Sequence, residues 1–105
     1  MPQLFIATFR LDDSNRPRYN RCYADLNNAI QSHAHPKFWK ETTSFYLFEA
    51  NGTSIQIADA VIAATPDFDP DIDLLLVMNV SQTRGHAIRG KPTDRDVYPL
   101  LQLRK

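Results

Sequence analysis

Apolar and polar positions along the chain fall into short apolar or alternating runs and two longer stripes at helical spacing. Leu4 to Leu11 is rich in apolar, aromatic and β-branched residues and ends in the polar run Asp12-Asp13-Ser14-Asn15, which predicts a strand. Arg16 to about Ser32 predicts a helix, because Tyr19, Tyr23, Leu26 and Ile30 fall on one helical face. Pro17 suits its first turn and Asn15 or Ser14 can cap it, while His33 to Pro36 ends it. Phe38–Lys40 and Ser44–Glu49 read as two strands of a hairpin. Asn51-Gly52 marks a turn, and Thr53 with Gln56 three residues on is a capping-box pattern. The helix it opens carries Ile57, Ala58, Val61, Ile62 and Thr65 as a stripe and stops at Pro66. Asp73 leads into Leu74 to Ser81, the most apolar strand. Residues 82–105 hold two glycines, two prolines and six basic residues, and read as a loop and tail with one late strand over Tyr98–Leu103.

The order β-α-β-β-α-β predicts an α+β fold: a ferredoxin-like sandwich, an antiparallel sheet with two helices on one face. Residues 1–83 form this domain and 84–105 a basic C-terminal extension. The first and last core strands are expected at the centre of the sheet. Helices on one face require only alternate strand residues to be apolar. Yet Leu4 and Ile6 oppose Phe5, Ala7, Phe9 and Leu11 on the first strand. Phe45 and Leu47 oppose Tyr46 and Phe48, and Leu74, Leu76, Met78 and Val80 oppose Leu75 and Val77. Both faces therefore ask for burial, and two short helices cover one. A second copy of the chain is the simplest cover, so a homodimer is expected.

The whole chain is 105 residues with 43% hydrophobic and 23% charged residues, an ordinary globular mixture. Twelve basic residues balance twelve acidic ones, so net charge argues for neither nucleic acid nor membrane. The longest apolar stretch, Leu74 to Val80, is too short to span a bilayer. The start MPQLFIATFR has no basic segment ahead of its apolar residues, unlike a signal peptide. The lone Cys22 excludes an internal disulfide. A cytoplasmic location without membrane attachment is the expectation.

Candidate chemistry is sparse. Asp67, Asp69, Asp71 and Asp73 alternate as calcium-loop ligands do, but Pro70 interrupts them, no glycine holds the sixth position, and Met78 stands where a bidentate glutamate belongs. The plainer reading is an exposed acidic loop. His33 and His35 lack a third zinc ligand nearby and fit a helix C-terminus instead. Cys22 could pair with His86 as a nucleophile, although a lone helical cysteine usually packs. Phe38 and Trp39 could stack on a base or fill a core or dimer seam. Charge is distributed unevenly. Residues 84–105 carry Arg84, Arg89, Lys91, Arg95, Arg104 and Lys105 against Asp94 and Asp96, a net of +4. Arg10, Arg16, Arg18 and Arg21 cluster after the first strand, whereas residues 59–73 carry five aspartates and no base. This reads as a bipolar molecule, with the acidic loop far from a basic end that could hold phosphates.

The segments LFIATFRLDD, TTSFYLFEANGTSIQIADAV and DIDLLLVMNVS, in that order, resemble the small CRISPR-associated subunit of the spacer-acquisition complex. They resemble its SinR-like relatives of unknown role more closely. The matching features are Phe9-Arg10-Leu11 at the end of the first strand, Trp39, Thr43-Ser44-Phe45, Thr53-Ser54 and Asp73 to Val77, over about residues 3–81. The resemblance implies a ferredoxin-like homodimer. In nuclease members it implies an aspartate at the end of the first strand that binds a divalent metal, and Arg10 stands at that position. A guanidinium repels a metal ion. Two readings follow. One is a non-catalytic dimeric module that needs no cofactor and either binds nucleic acid through Arg10, Arg18, Arg84, Arg89 and Lys91 or scaffolds a protein partner. The other is a toxin-like or other endonuclease using Mg²⁺ or Mn²⁺ at a site displaced to Asp12 and Asp13. Arg10 favours the first.

Overall fold

A computed structural model of the chain describes residues 3–34, 37–42, 44–81 and 85–102. The elements run β1 (Gln3–Arg10), α1 (Arg16–His33), β2 (Phe38–Trp39), β3 (Phe45–Ala50), α2 (Ser54–Ala63), β4 (Leu74–Asn79), β5 (His86–Gly90) and α3 (Val97–Gln102). They form an α+β fold whose five strands make one sheet in the order β2-β3-β1-β4-β5, every described pair antiparallel. No helix among the described residues is long and apolar enough to cross a membrane.

Local chemistry sets the helix starts. The Asn15 side chain accepts the Arg18 N–H at the head of α1, and Pro17 sits in its first turn. At the head of α2 the Thr53 hydroxyl accepts the Gln56 N–H at 3.1 Å, and the Gln56 side chain accepts the Thr53 N–H at 2.9 Å. This reciprocal capping box was legible in the sequence.

Both helices cover one sheet face. Phe5, Ala7, Phe9, Tyr46, Phe48, Leu75 and Val77 are buried there against Leu26 and Ile30 of α1 and Ile57, Ala58 and Val61 of α2. The buried Tyr46 hydroxyl donates to Asn27 Oδ1 at 2.6 Å and accepts from Gln31 Nε2 at 2.9 Å, so β3 and α1 share a satisfied polar contact.

The opposite face is apolar but open. The register groups Phe45, Thr8, Leu76 and Ile88 in one row across the sheet, and Trp39, Leu47, Ile6, Met78 and His86 in the next. These side chains are half-buried or exposed, with Leu4 37%, Trp39 42% and Val80 41% accessible. Residues 91–102 turn back from β5 across part of this face, where Pro92 and Val97 approach Leu74, Leu76 and Ile88.

Two expectations change. The late strand at Tyr98–Leu103 is replaced by α3 over 97–102, with Leu103 outside the described residues. Pro99 lacks the N–H a ladder needs but is tolerated in a first helical turn. The extra strand lies earlier, at His86–Gly90, where it pairs with the outer edge of β4. That pairing makes β4 an inner strand, while β1 takes the centre between β3 and β4.

Candidate functional site

The end of β1, the start of α1, the loop before β4 and the exit of β5 converge at one end of the sheet. Asp73, immediately before β4, is fully buried there. Arg18 holds it in a two-pronged ion pair, Nη1 to Oδ2 at 2.9 Å and Nη2 to Oδ1 at 3.0 Å. Asp73 also accepts the backbone N–H groups of Asp12 and Asp69, each at 2.8 Å. Arg18 donates further to the carbonyls of Asp67 at 2.7 Å and Asp12 at 3.0 Å. Burial pushes the Asp73 carboxyl up, but the Arg18 guanidinium and the two backbone donors together outweigh it and hold the carboxyl below its usual value. The partner shift agrees: the hydrogen bond to Asp73 raises the Arg18 pKa.

The sequence-level candidates separate around this hub. Arg18 faces inward onto Asp73, and Arg89 pairs with Asp59 of α2, Nη2 to Oδ1 at 2.7 Å. Arg10 and Lys91 do come together: Arg10 Nη2 reaches the Ile72 and Lys91 carbonyls at 3.4 and 3.5 Å. No carboxylate pairs with Arg10 or Lys91 among the described residues. Arg84 lies outside the described residues. The bipolar arrangement is overturned. β1 runs antiparallel to β4, so the end of β1 and the start of β4 share one end, and the aspartates of 67–73 sit among the arginines. Asp67 Oδ2 accepts Arg21 Nε at 3.0 Å.

Asp12 and Asp13 lie in the loop between β1 and α1. Asp12 Oδ2 accepts both the N–H and the hydroxyl of Ser14, and the Arg10 guanidinium lines the same cleft. Asp13 is exposed on the loop. Among the described residues no group of three or more His, Cys, Asp or Glu side chains is placed to hold a metal ion.

Cys22 is buried within α1, its thiol pushed up to about 11 first by burial and then by the Asp73 carboxylate. His86 is on β5 in the row of Met78, on the open face, so the two are not a catalytic pair. His33 is exposed in the last turn of α1, and His35 lies outside the described residues. Phe38 packs toward Tyr46, with ring centroids 5.8 Å apart, while Trp39 meets Phe45 on the open face at 6.1 Å.

Sequence reasoning missed Asp73 as the hub. The available signal was a carboxylate set directly against the most apolar strand, a place where an aspartate must be paired.

Two clefts flank Arg10. One, about 290 Å³, lies between residues 92–97 and the open face, with Leu74, Leu76 and Ile88 in its lining. The other, about 430 Å³, is lined by Arg10, Asp12, Asp71, Ile72, Lys91, Pro92 and Thr93. Comparison of the chain with protein families, with curated proteins and with solved structures finds no match.

Proposed function

We propose that the protein is a non-catalytic scaffolding module of ferredoxin-like topology that works as a homodimer joined through its open sheet face. The observation that carries this reading is the continuous apolar surface of Leu4, Ile6, Phe45, Leu47, Trp39 and Val80, which neither α1 nor α2 covers. Such a patch marks an interaction surface, and a two-fold contact lets the same patch serve both partners. The order β2-β3-β1-β4, with α1 and α2 on one face, is consistent with the ferredoxin-like arrangement, β5 being an addition at the β4 edge. The resemblance to the CRISPR-associated small subunit and its SinR-like relatives points to the same kind of dimer. Scaffolding is favoured over phosphate binding because Arg18 and Arg89 are already paired with carboxylates.

Sedimentation equilibrium at micromolar concentration tests the reading. The wild-type chain is expected at about twice 12.0 kDa. Ile6→Asp or Leu47→Asp puts a charge in the centre of the open face without touching the helix-covered core, and is expected to give monomer with an unchanged circular dichroism spectrum. A wild-type monomer at that concentration overturns the proposal.

A further inference from the structure

The two clefts at Arg10 differ in character and share a wall. The first has an apolar lining of Leu74, Leu76, Ile88, Pro92 and Val97, and its one cation is Arg10. Its Asp94 is engaged in its own turn, where Oδ1 accepts the Asp96 N–H at 3.0 Å. The second carries both signs of charge, Arg10 and Lys91 with Asp12 and Asp71. Arg10, Pro92 and Thr93 line both clefts. The Arg10 guanidinium touches only carbonyls at long range, which leaves its fork open to a carboxylate. The Asp71 carboxylate likewise accepts no hydrogen bond among the described residues, whereas that of Asp12 is held by Ser14.

We infer that the clefts meeting at Arg10 bind a small zwitterion with an apolar side chain, that is, an apolar α-amino acid. Its carboxylate sits on Arg10 with Lys91 beside it, its ammonium on Asp71, and its side chain in the cleft beneath residues 92–97. The combined chemistry selects this class. A plain fatty acid leaves Asp71 facing the ligand without a countercharge, and an apolar amine leaves Arg10 so. The first cleft is near the lower limit of roughly 300–1,000 Å³ that holds drug-sized ligands, which suits a single amino-acid side chain. The site lies beside the surface proposed for dimerisation and does not depend on it.

Amide chemical shifts of the ¹⁵N-labelled full chain, titrated with L-leucine and L-phenylalanine, test the inference. Saturable shifts are expected in residues 8–10, 71–76 and 88–97. Leucinamide, N-acetyl-L-leucine and octanoate each lack one charge and are expected to bind about tenfold or more weakly, as is L-leucine to Arg10→Gln. Leu76→Trp, which fills the apolar cleft, is expected to abolish the shifts. If either variant fails to fold, the ligand series on the wild-type chain decides alone. Absence of saturable shifts with both amino acids, shifts confined to other residues, or equal binding of a singly charged analogue overturns the inference.

Discussion

Asp73 is without solvent exposure, yet its carboxyl is a stronger acid than a free aspartate. Desolvation alone would act the other way, so the two-pronged contact from Arg18 and the N–H groups of Asp12 and Asp69 must win. The consequence for stability has a definite sign. A carboxyl lowered from its ordinary value of 3.8 contributes stability that is complete above that value and is lost as pH falls through the folded-state pKa. Asp73→Asn keeps the shape but leaves Arg18 with no charged partner. It is expected to cost about 3 kcal/mol at neutral pH, the lower end for a broken buried pair because Arg18 keeps 15% side-chain exposure. Urea unfolding across pH 3 to 7 measures this. The wild-type advantage over Asp73→Asn should be constant above pH 5 and shrink below 4, and a gap that widens in acid contradicts the assignment. Position 73 was visible in the sequence as the last polar residue before an apolar strand. Its partner was not, because Arg18 is 55 residues away in sequence and only the packing of α1 against the loop before β4 joins them.

Elements that carry their own local signals were readable, and those that borrow order from neighbours were not. α1 and α2 have caps, stripes and stops within their own residues, and their observed bounds lie within a few residues of the expected ones. β5 is different. His86–Gly90 has only Ala87 and Ile88 as apolar residues and ends in glycine, so its strand character comes from the exposed edge of β4. Tyr98, Leu100 and Leu101 suggest a strand by composition, but the proline among them favours a short helix. Gly90 decides how the chain leaves β5. Its φ is +99°, and a Cβ there would lie 1.9 Å from the Asp73 carbonyl oxygen. Gly90→Ala is therefore expected to destabilise the fold by about 2 kcal/mol, from positive-φ strain and displacement of the Asp73 backbone. Thermal unfolding of the variant checks this; an unchanged melting temperature means the turn after β5 is not constrained as described.

At the scale of the whole molecule, charge has to be read on the topology and not along the chain. The basic run after β1 and the acidic run before β4 are separated by half the sequence, and in one dimension they mark opposite poles. Antiparallel pairing of β1 with β4 brings them to one end, where Arg18 and Arg21 pair with Asp73 and Asp67. The field at that end is therefore largely cancelled. Of the five basic residues suggested by the sequence for contact with phosphates, Arg18 and Arg89 are held by carboxylates, Arg84 lies outside the described residues, and Arg10 and Lys91, which line one cleft, pair with no carboxylate among the described residues. Binding of nucleic acid at this end is thus expected only at the weak limit, about 10⁻⁴ M near physiological salt, and carried by Arg10 and Lys91. Removing one phosphate-binding cation flattens the fall of affinity with salt by about one unit of slope. Fluorescence anisotropy with a labelled duplex, from low to moderate salt, should show that flattening for Arg10→Ala and for Lys91→Ala. Arg89→Ala should leave the slope unchanged, because the wild-type guanidinium already faces Asp59 of α2. Micromolar affinity at physiological salt, or an Arg89→Ala effect as large as that of Arg10→Ala, would mean that the ion pairs on this surface open when a polyanion arrives. A duplex would then displace scaffolding as the better account of what the basic residues do.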